Sequence, residues 1–103
     1  MTVFPSTAFS VVRFKVKPGM EQLFLDAHKD VATAWPGLRH ANIIKHGPQG
    51  YSIIAEWESQ EALVAGRPQM IATLDRFRPA LDDLGNGMGT TDPVSGPVVL
   101  AIK

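Results

Sequence analysis

Apolar and polar residues alternate along residues 9–17: Ser10, Val12, Phe14 and Val16 fall on one side, Val11, Arg13, Lys15 and Lys17 on the other. A period of two over this length predicts a strand with one well-buried face. Pro18 and Gly19 end it and turn the chain. The period then changes. Phe24, Ala27, Val31 and Ala34 recur at steps of three and four, which predicts a helix over residues 20–35. Glu21 falls in its first turn, where the helix dipole favours negative charge, and Pro36 with Gly37 stops it.

A second strand is predicted over residues 38–46, a four-residue turn over 47–50, and a returning strand over 51–58. On the returning strand Tyr51, Ile53, Ala55 and Trp57 share one face; Ser52, Ile54 and Glu56 share the other. Ser59 is a natural N-cap, with Glu61 in the first turn after it. The helix that follows must yield at Arg67, because Pro68 disfavours helical geometry in the residue before it. Pro68 suits the start of a new helix, on which Met70, Leu74, Phe77, Leu81 and Leu84 form a stripe. Pro79 lies inside that stripe and predicts a break near Arg78. Residues 85–97 read as loop and residues 98–102 as a closing strand; residues 1–8, broken by Pro5, are a lead-in.

The predicted order is therefore β-α-β-β-α-β with a split second helix, an α+β domain spanning residues 1–103. Short linkers and two helices for four strands favour an antiparallel sheet covered on one side only. Val11, Ile43 and Ile54 would sit on the bare face among Arg13, Lys45 and Glu56. That mixture is too apolar to meet water, and it predicts a homodimer closed through the sheet face.

Composition narrows the function. Ten basic and ten acidic residues cancel without a run of either sign, which argues against nucleic acid or an anionic membrane surface as partner. The chain has no cysteine, so disulfides, thiolate metal sites and cysteine nucleophiles are excluded. The first residues lack a basic region followed by an apolar one, and no apolar run reaches the roughly 18 residues of a membrane helix. A cytoplasmic location is the default expectation.

Candidate chemistry comes from the hairpin. With His46 opposite Tyr51, counting back places Ile44 opposite Ile53, Asn42 opposite Ala55 and His40 opposite Trp57, all beneath the helices. An imidazole, a carboxamide and an indole would then line a half-apolar pocket for a flat organic molecule. Trp57 offers a stacking face, Asn42 an oxygen anchor, and His40 a proton acceptor near neutral pH. Tyr51, His28, Arg76 and Phe77 are further candidates for contact with a small aromatic ligand. The plainer reading makes Trp57 a cap on the core and Asn42 the partner of a backbone group. His40 and His46 stand six apart, about 20 Å along a strand, too far to share one metal ion. GNGMG at 85–89 follows no strand and precedes no lysine, so it is an ordinary loop.

VRFKVKPG at 12–19, WPGL at 35–38 and IAEWESQEAL at 54–63 together resemble the antibiotic biosynthesis monooxygenase domain of the dimeric α+β barrel superfamily. The resemblance runs from about residue 9 to residue 84. It implies a ferredoxin-like protomer, a homodimer whose sheets form a barrel, and a pocket between sheet and helices. It also implies cofactor-independent oxidation of a phenol or hydroquinone as one activity, with a non-catalytic small-ligand or stress-related module as the alternative. Haem-degrading members carry a first-strand Asn, a second Trp on the helix after the strand Trp, and a downstream His. The matching positions here fall at about Val12 and near Gly66, and no histidine follows, so no cofactor is expected. Quinone-forming members share the Trp kept here as Trp57. Their Asn four residues earlier is Ile53 and their later Tyr falls near Leu63, which leaves Asn42 to supply the carboxamide.

Overall fold

The computed structural model describes residues 7–29 and 35–103. Among these residues five strands form one sheet: β1 (Ala8–Val16), β2 (Leu38–Lys45), β3 (Gly50–Trp57), β4 (Leu81–Asp82) and β5 (Asp92–Pro97). The order is β2-β3-β1-β4, with β5 sharing the β4 side of β1, and every pairing is antiparallel. The helices are α1 (Glu21–Asp26), α2 (Gln60–Ala65) and α3 (Arg67–Phe77), the last running into a single 3-10 turn, Arg78–Ala80. This is the expected α+β, ferredoxin-like arrangement with a split second helix.

Strand β1 keeps its two-sided character. Ser10, Phe14 and Val16 are buried under the helices while Arg13 and Lys15 are exposed. Ser59 caps α2 as expected, its Oγ accepting the Ala62 N–H at 3.0 Å. Pro79 ends α3 as expected, and the chain leaves as strand β4, so Leu81 and Leu84 lie beyond the helix.

The first helix is shorter than its stripe implied. α1 stops at Asp26, and Ala27 to Lys29 form turns. Its expected continuation through Val31 and Ala34 lies outside the described residues. The cause of the stop is local. The His28 imidazole takes the carbonyl of Phe24 at 2.7 Å, the acceptor that the His28 backbone N–H would use in a continuing α-helix. That N–H bonds Leu25 O at 3.1 Å instead, and Lys29 N–H bonds Asp26 O at 3.2 Å, both tightened i to i−3 contacts.

The closing strand also lies earlier than expected, at β5 rather than residues 98–102. Pro93 and Pro97 are tolerated because β5 pairs on one side only. Arg13 Nε donates to Asp92 Oδ2 at 2.9 Å and fixes the start of the pairing. Beyond Pro97 the Val98 N–H reaches Thr7 O at 2.8 Å, and no regular structure follows. Val99, Leu100 and Ile102 are left exposed.

Two apolar clusters fill the space between sheet and helices. One gathers Phe14, Val16, Phe24, Tyr51, Phe77 and Leu81; the other gathers Ala8, Ala55, Trp57 and Leu63. Rings in the first meet edge to face: Phe14 on Phe77 at 5.4 Å and Phe24 on Phe77 at 5.1 Å between centroids. The opposite sheet face is open. It carries an apolar band, Val94–Val11–Ile54, between a charged row containing Asp92 and Arg13 and another containing Glu56 and His40.

Candidate active site

The hairpin register differs by one residue from the count made on the sequence. Lys45, not His46, faces Tyr51; Asn42 faces Ile54 and His40 faces Glu56. The turn is the reason. Gly50 belongs to β3, where it pairs with Lys15 of β1, and the adjoining Gln49 is held by Val16 N–H to its carbonyl at 2.8 Å. Its side-chain amide returns to Val16 O at 2.9 Å. β2 ends one residue earlier, at Lys45, so five residues rather than four separate Tyr51 from its cross-strand partner. A slip of one position moves every side chain of a strand to the other face. A bulge between Leu38 and His40 then sets Leu38 against Trp57.

His40 and Asn42 therefore occupy the open face, on the far side of the sheet from Trp57. His40 is exposed, and its Nε2 is taken by Glu56 Oε1 at 2.7 Å. Glu56 is held below the usual carboxylate range, chiefly by a hydrogen bond from Thr7 and then by His40. On the same argument Ile43 and Lys45 move to the helical side, while Val11, Arg13, Ile54 and Glu56 keep the open face expected of them.

Trp57 is fully buried but offers no stacking wall to a ligand. Its Nε1–H donates to Ser10 Oγ at 3.2 Å, and Trp35 lies nearly parallel to it at 6.3 Å between centroids. Gly66 closes the remaining side: a Cβ there would come within 2.4 Å of the indole Cη2. Here the plainer reading of Trp57 as a core cap describes its place.

The side chains brought together are His28, Tyr51 and Phe77, around Phe24, with Arg76 on the turn of α3 beside Phe77. The imidazole lies 4.6 Å from the Phe77 ring and 5.0 Å from the Phe24 ring; Tyr51 stands 5.2 Å from Phe24 on the sheet side. Because Nδ1 faces a carbonyl, it carries the proton and donates to Phe24 O, which leaves the lone pair on Nε2. Nε2 is buried, and among the described residues it has no hydrogen-bond partner. Burial lowers the imidazole below its ordinary value of 6.5; the Phe24 carbonyl opposes that and the Arg76 charge adds to it. Burial thus favours the neutral ring, whose basic nitrogen has no partner among the described residues.

Beside it, between α1 and α3, lies a cavity of about 480 Å³ lined by Leu23, Asp26, Ala27 and Arg76. On the sheet side of the aromatic cluster, Lys45 and Glu21, both missed on the sequence, meet near Tyr51. Lys45 sits over the Tyr51 ring, its Nζ 5.6 Å from the centroid, and 3.7 Å from Glu21 Oε2. Its pKa is raised, first by the Tyr51 hydroxyl and then by Glu21. The correct register was the one signal that could have found Lys45. Among the described residues no three His, Asp or Glu side chains gather as a metal set, and no helix is long and apolar enough to cross a membrane.

No protein-family model matches the chain, and no curated protein matches it either. Solved structures do. A candidate antibiotic biosynthesis monooxygenase from Chloroflexus aurantiacus superposes with a TM-score of 0.70 at 16% identity, covering 93% of this chain and 96% of that one. SnoaB, a cofactor-independent oxygenase from Streptomyces nogalater, gives 0.67 at 18% identity, over 94% and 97%. A Nitrosomonas europaea protein of unknown function gives 0.72 at 20% identity, over 93% and 92%. Strand order, helix placement and this coverage agree: the chain has the fold of the antibiotic biosynthesis monooxygenase proteins.

Proposed function

We propose that the chain is a cofactor-independent monooxygenase acting on a small electron-rich phenol or hydroquinone, with His28 rather than His40 as its base. The observation that carries this is the buried Nε2 of His28 beside Phe24 and Phe77, which has no hydrogen-bond partner among the described residues. A buried polar atom is ordinarily satisfied, and one left idle in an aromatic setting is poised to take a proton. Dioxygen attacks such rings once they are ionised, so the protein has to bind, deprotonate and orient. The electrons balance without a further reductant. A hydroquinone that gains one oxygen atom and loses two hydrogens becomes a hydroxyquinone, and the second oxygen atom leaves as water. In this reading Leu23 and Ala27 of the adjacent cavity hold the ring, Arg76 attracts the phenolate, and Nε2, packed against Phe77 behind that cavity, removes the phenolic proton. SnoaB lends the fold a precedent for such chemistry.

A binding module without catalysis would use the same cavity and leave Nε2 idle. The two readings part on oxygen. With a panel of anthrones and hydroquinones the expected result is dioxygen consumption matched to quinone formed. Ligand binding without any consumption would overturn the oxygenase reading.

We further propose the homodimer expected from the sequence, closed through the open sheet face. The band of Val94, Val11 and Ile54 supports it, as do the exposed Val99, Leu100 and Ile102 of the C-terminal segment. Covering such surface releases about 25 cal/mol for each Å² of apolar area removed from water. Sedimentation at micromolar protein is expected to give twice the chain mass; a single-chain mass would contradict the proposal.

A further inference from the structure

A second cleft, of about 420 Å³, opens at the hairpin end of the sheet, between the turn before β3 and the loop after β4. Arg13, Lys15 and His46 line it from the open face, and Leu84 and Met88 line it from the loop. It lies on the far side of the sheet from His28 and beyond the Val94–Val11–Ile54 band. Both walls are held in place. Gln49 ties the turn to Val16 O and to Asp82 Oδ2 at 3.1 Å, and the loop closes on itself through Leu84 N–H to Gly89 O at 2.7 Å.

His46 owes its position to Gly50. A Cβ at Gly50 would stand 2.7 Å from the imidazole Nδ1 and 2.8 Å from Cε1, so only glycine lets the ring lie across the strand. There its Nε2 meets the buried Ser52 Oγ at 2.8 Å. When Nε2 accepts the serine proton, Nδ1 is left as a donor at the cleft.

Among the described residues no carboxylate lines the cleft. Arg13 is committed to Asp92 through Nε and Nη2. Lys15 is not: among the described residues it has no ion pair, and its cross-strand neighbour Asp82 accepts from Gln49. We infer that this cleft binds a small monocarboxylate with an apolar body. Its carboxylate would meet Lys15 and the Nδ1–H of His46, and its hydrocarbon part would lie against Leu84 and Met88. A uniformly hydrated anion would leave those two side chains unused, and a neutral molecule would leave Lys15 unused.

Titration of the full-length protein with hexanoate, followed by backbone amide shifts, tests this. Saturable shifts are expected at Lys15, Gly50 and Met88, with none at His28 or Phe77. Affinity is expected to fall about tenfold in Lys15→Gln and by a similar factor in Gly50→Ala, which displaces the imidazole without removing it. Circular dichroism of both variants establishes that they fold. Binding of hexanol as tight as that of hexanoate, equal affinity in Lys15→Gln, or shifts confined to the His28 side would each overturn the assignment. The oxygenase reading is untouched by any of these results, because its residues lie on the other face.

Discussion

Trp57→Ala is expected to remove about 3–5 kcal/mol of folding stability, measured as a lower denaturant midpoint at unchanged slope. The indole has no exposed surface and is enclosed by Ala8, Ala55, Leu63 and the stacked Trp35. Gly66 brings backbone against the ring, within the distance a methyl group would need. Backbone cannot relax into the void as a flexible side chain can, so the cavity stays open and the loss sits high in the usual range. Ser10 loses its donor as well, leaving a buried hydroxyl with one partner fewer. His40→Ala serves as the contrast. His40 is exposed and its contact with Glu56 is solvent-screened, so its replacement is expected to fall within about 0.5 kcal/mol of the parent. A loss below about 1 kcal/mol for Trp57→Ala would contradict the packing role given to that ring.

The fold was legible because its signals are local. Alternation in β1, the serine cap of α2 and the two prolines bounding α3 each act within a few residues, and each holds. The site was less legible because it depends on a long-range count. One residue more between Tyr51 and its cross-strand partner, with Gln49 tying the turn to β1, exchanges the faces of His40, Asn42 and Lys45. No periodicity within β2 reports that exchange, since Ile43 and Ile44 are both apolar and either face would accept one of them. The early end of α1 was hidden for a similar reason. A histidine that takes its own helix's carbonyl is indistinguishable, in sequence, from one that points to solvent. Even so, Phe77 was marked by its place on a helical stripe, His28 and Arg76 by standing at the edge of one, and Tyr51 by the inward face of β3. The structure gathers the first two and Phe77 about Phe24, with Arg76 close enough to bear on the imidazole charge.

The second large effect concerns His28. His28→Gln keeps a side-chain N–H that can reach Phe24 O, but it supplies no basic nitrogen. Removal of a general base costs typically 10²–10⁴-fold in rate, and a loss of at least about 100-fold in kcat is expected, with ring binding retained. An independent readout comes from pH. The folded state holds the imidazole below 6.5, so as pH falls past that ordinary value the unfolded chain takes up the proton first and stability declines. This part of the acid loss is expected to vanish in His28→Gln, because glutamine does not titrate.

The decisive measurement is the initial rate of dioxygen consumption with a hydroquinone or anthrone, compared between the parent protein and His28→Gln at a pH above 6.5. Consumption by the parent and its near-abolition in the folded, ligand-binding variant is the expected outcome. Equal rates in the two proteins would take the base role away from His28 and with it the active site assigned to the helical side of the sheet.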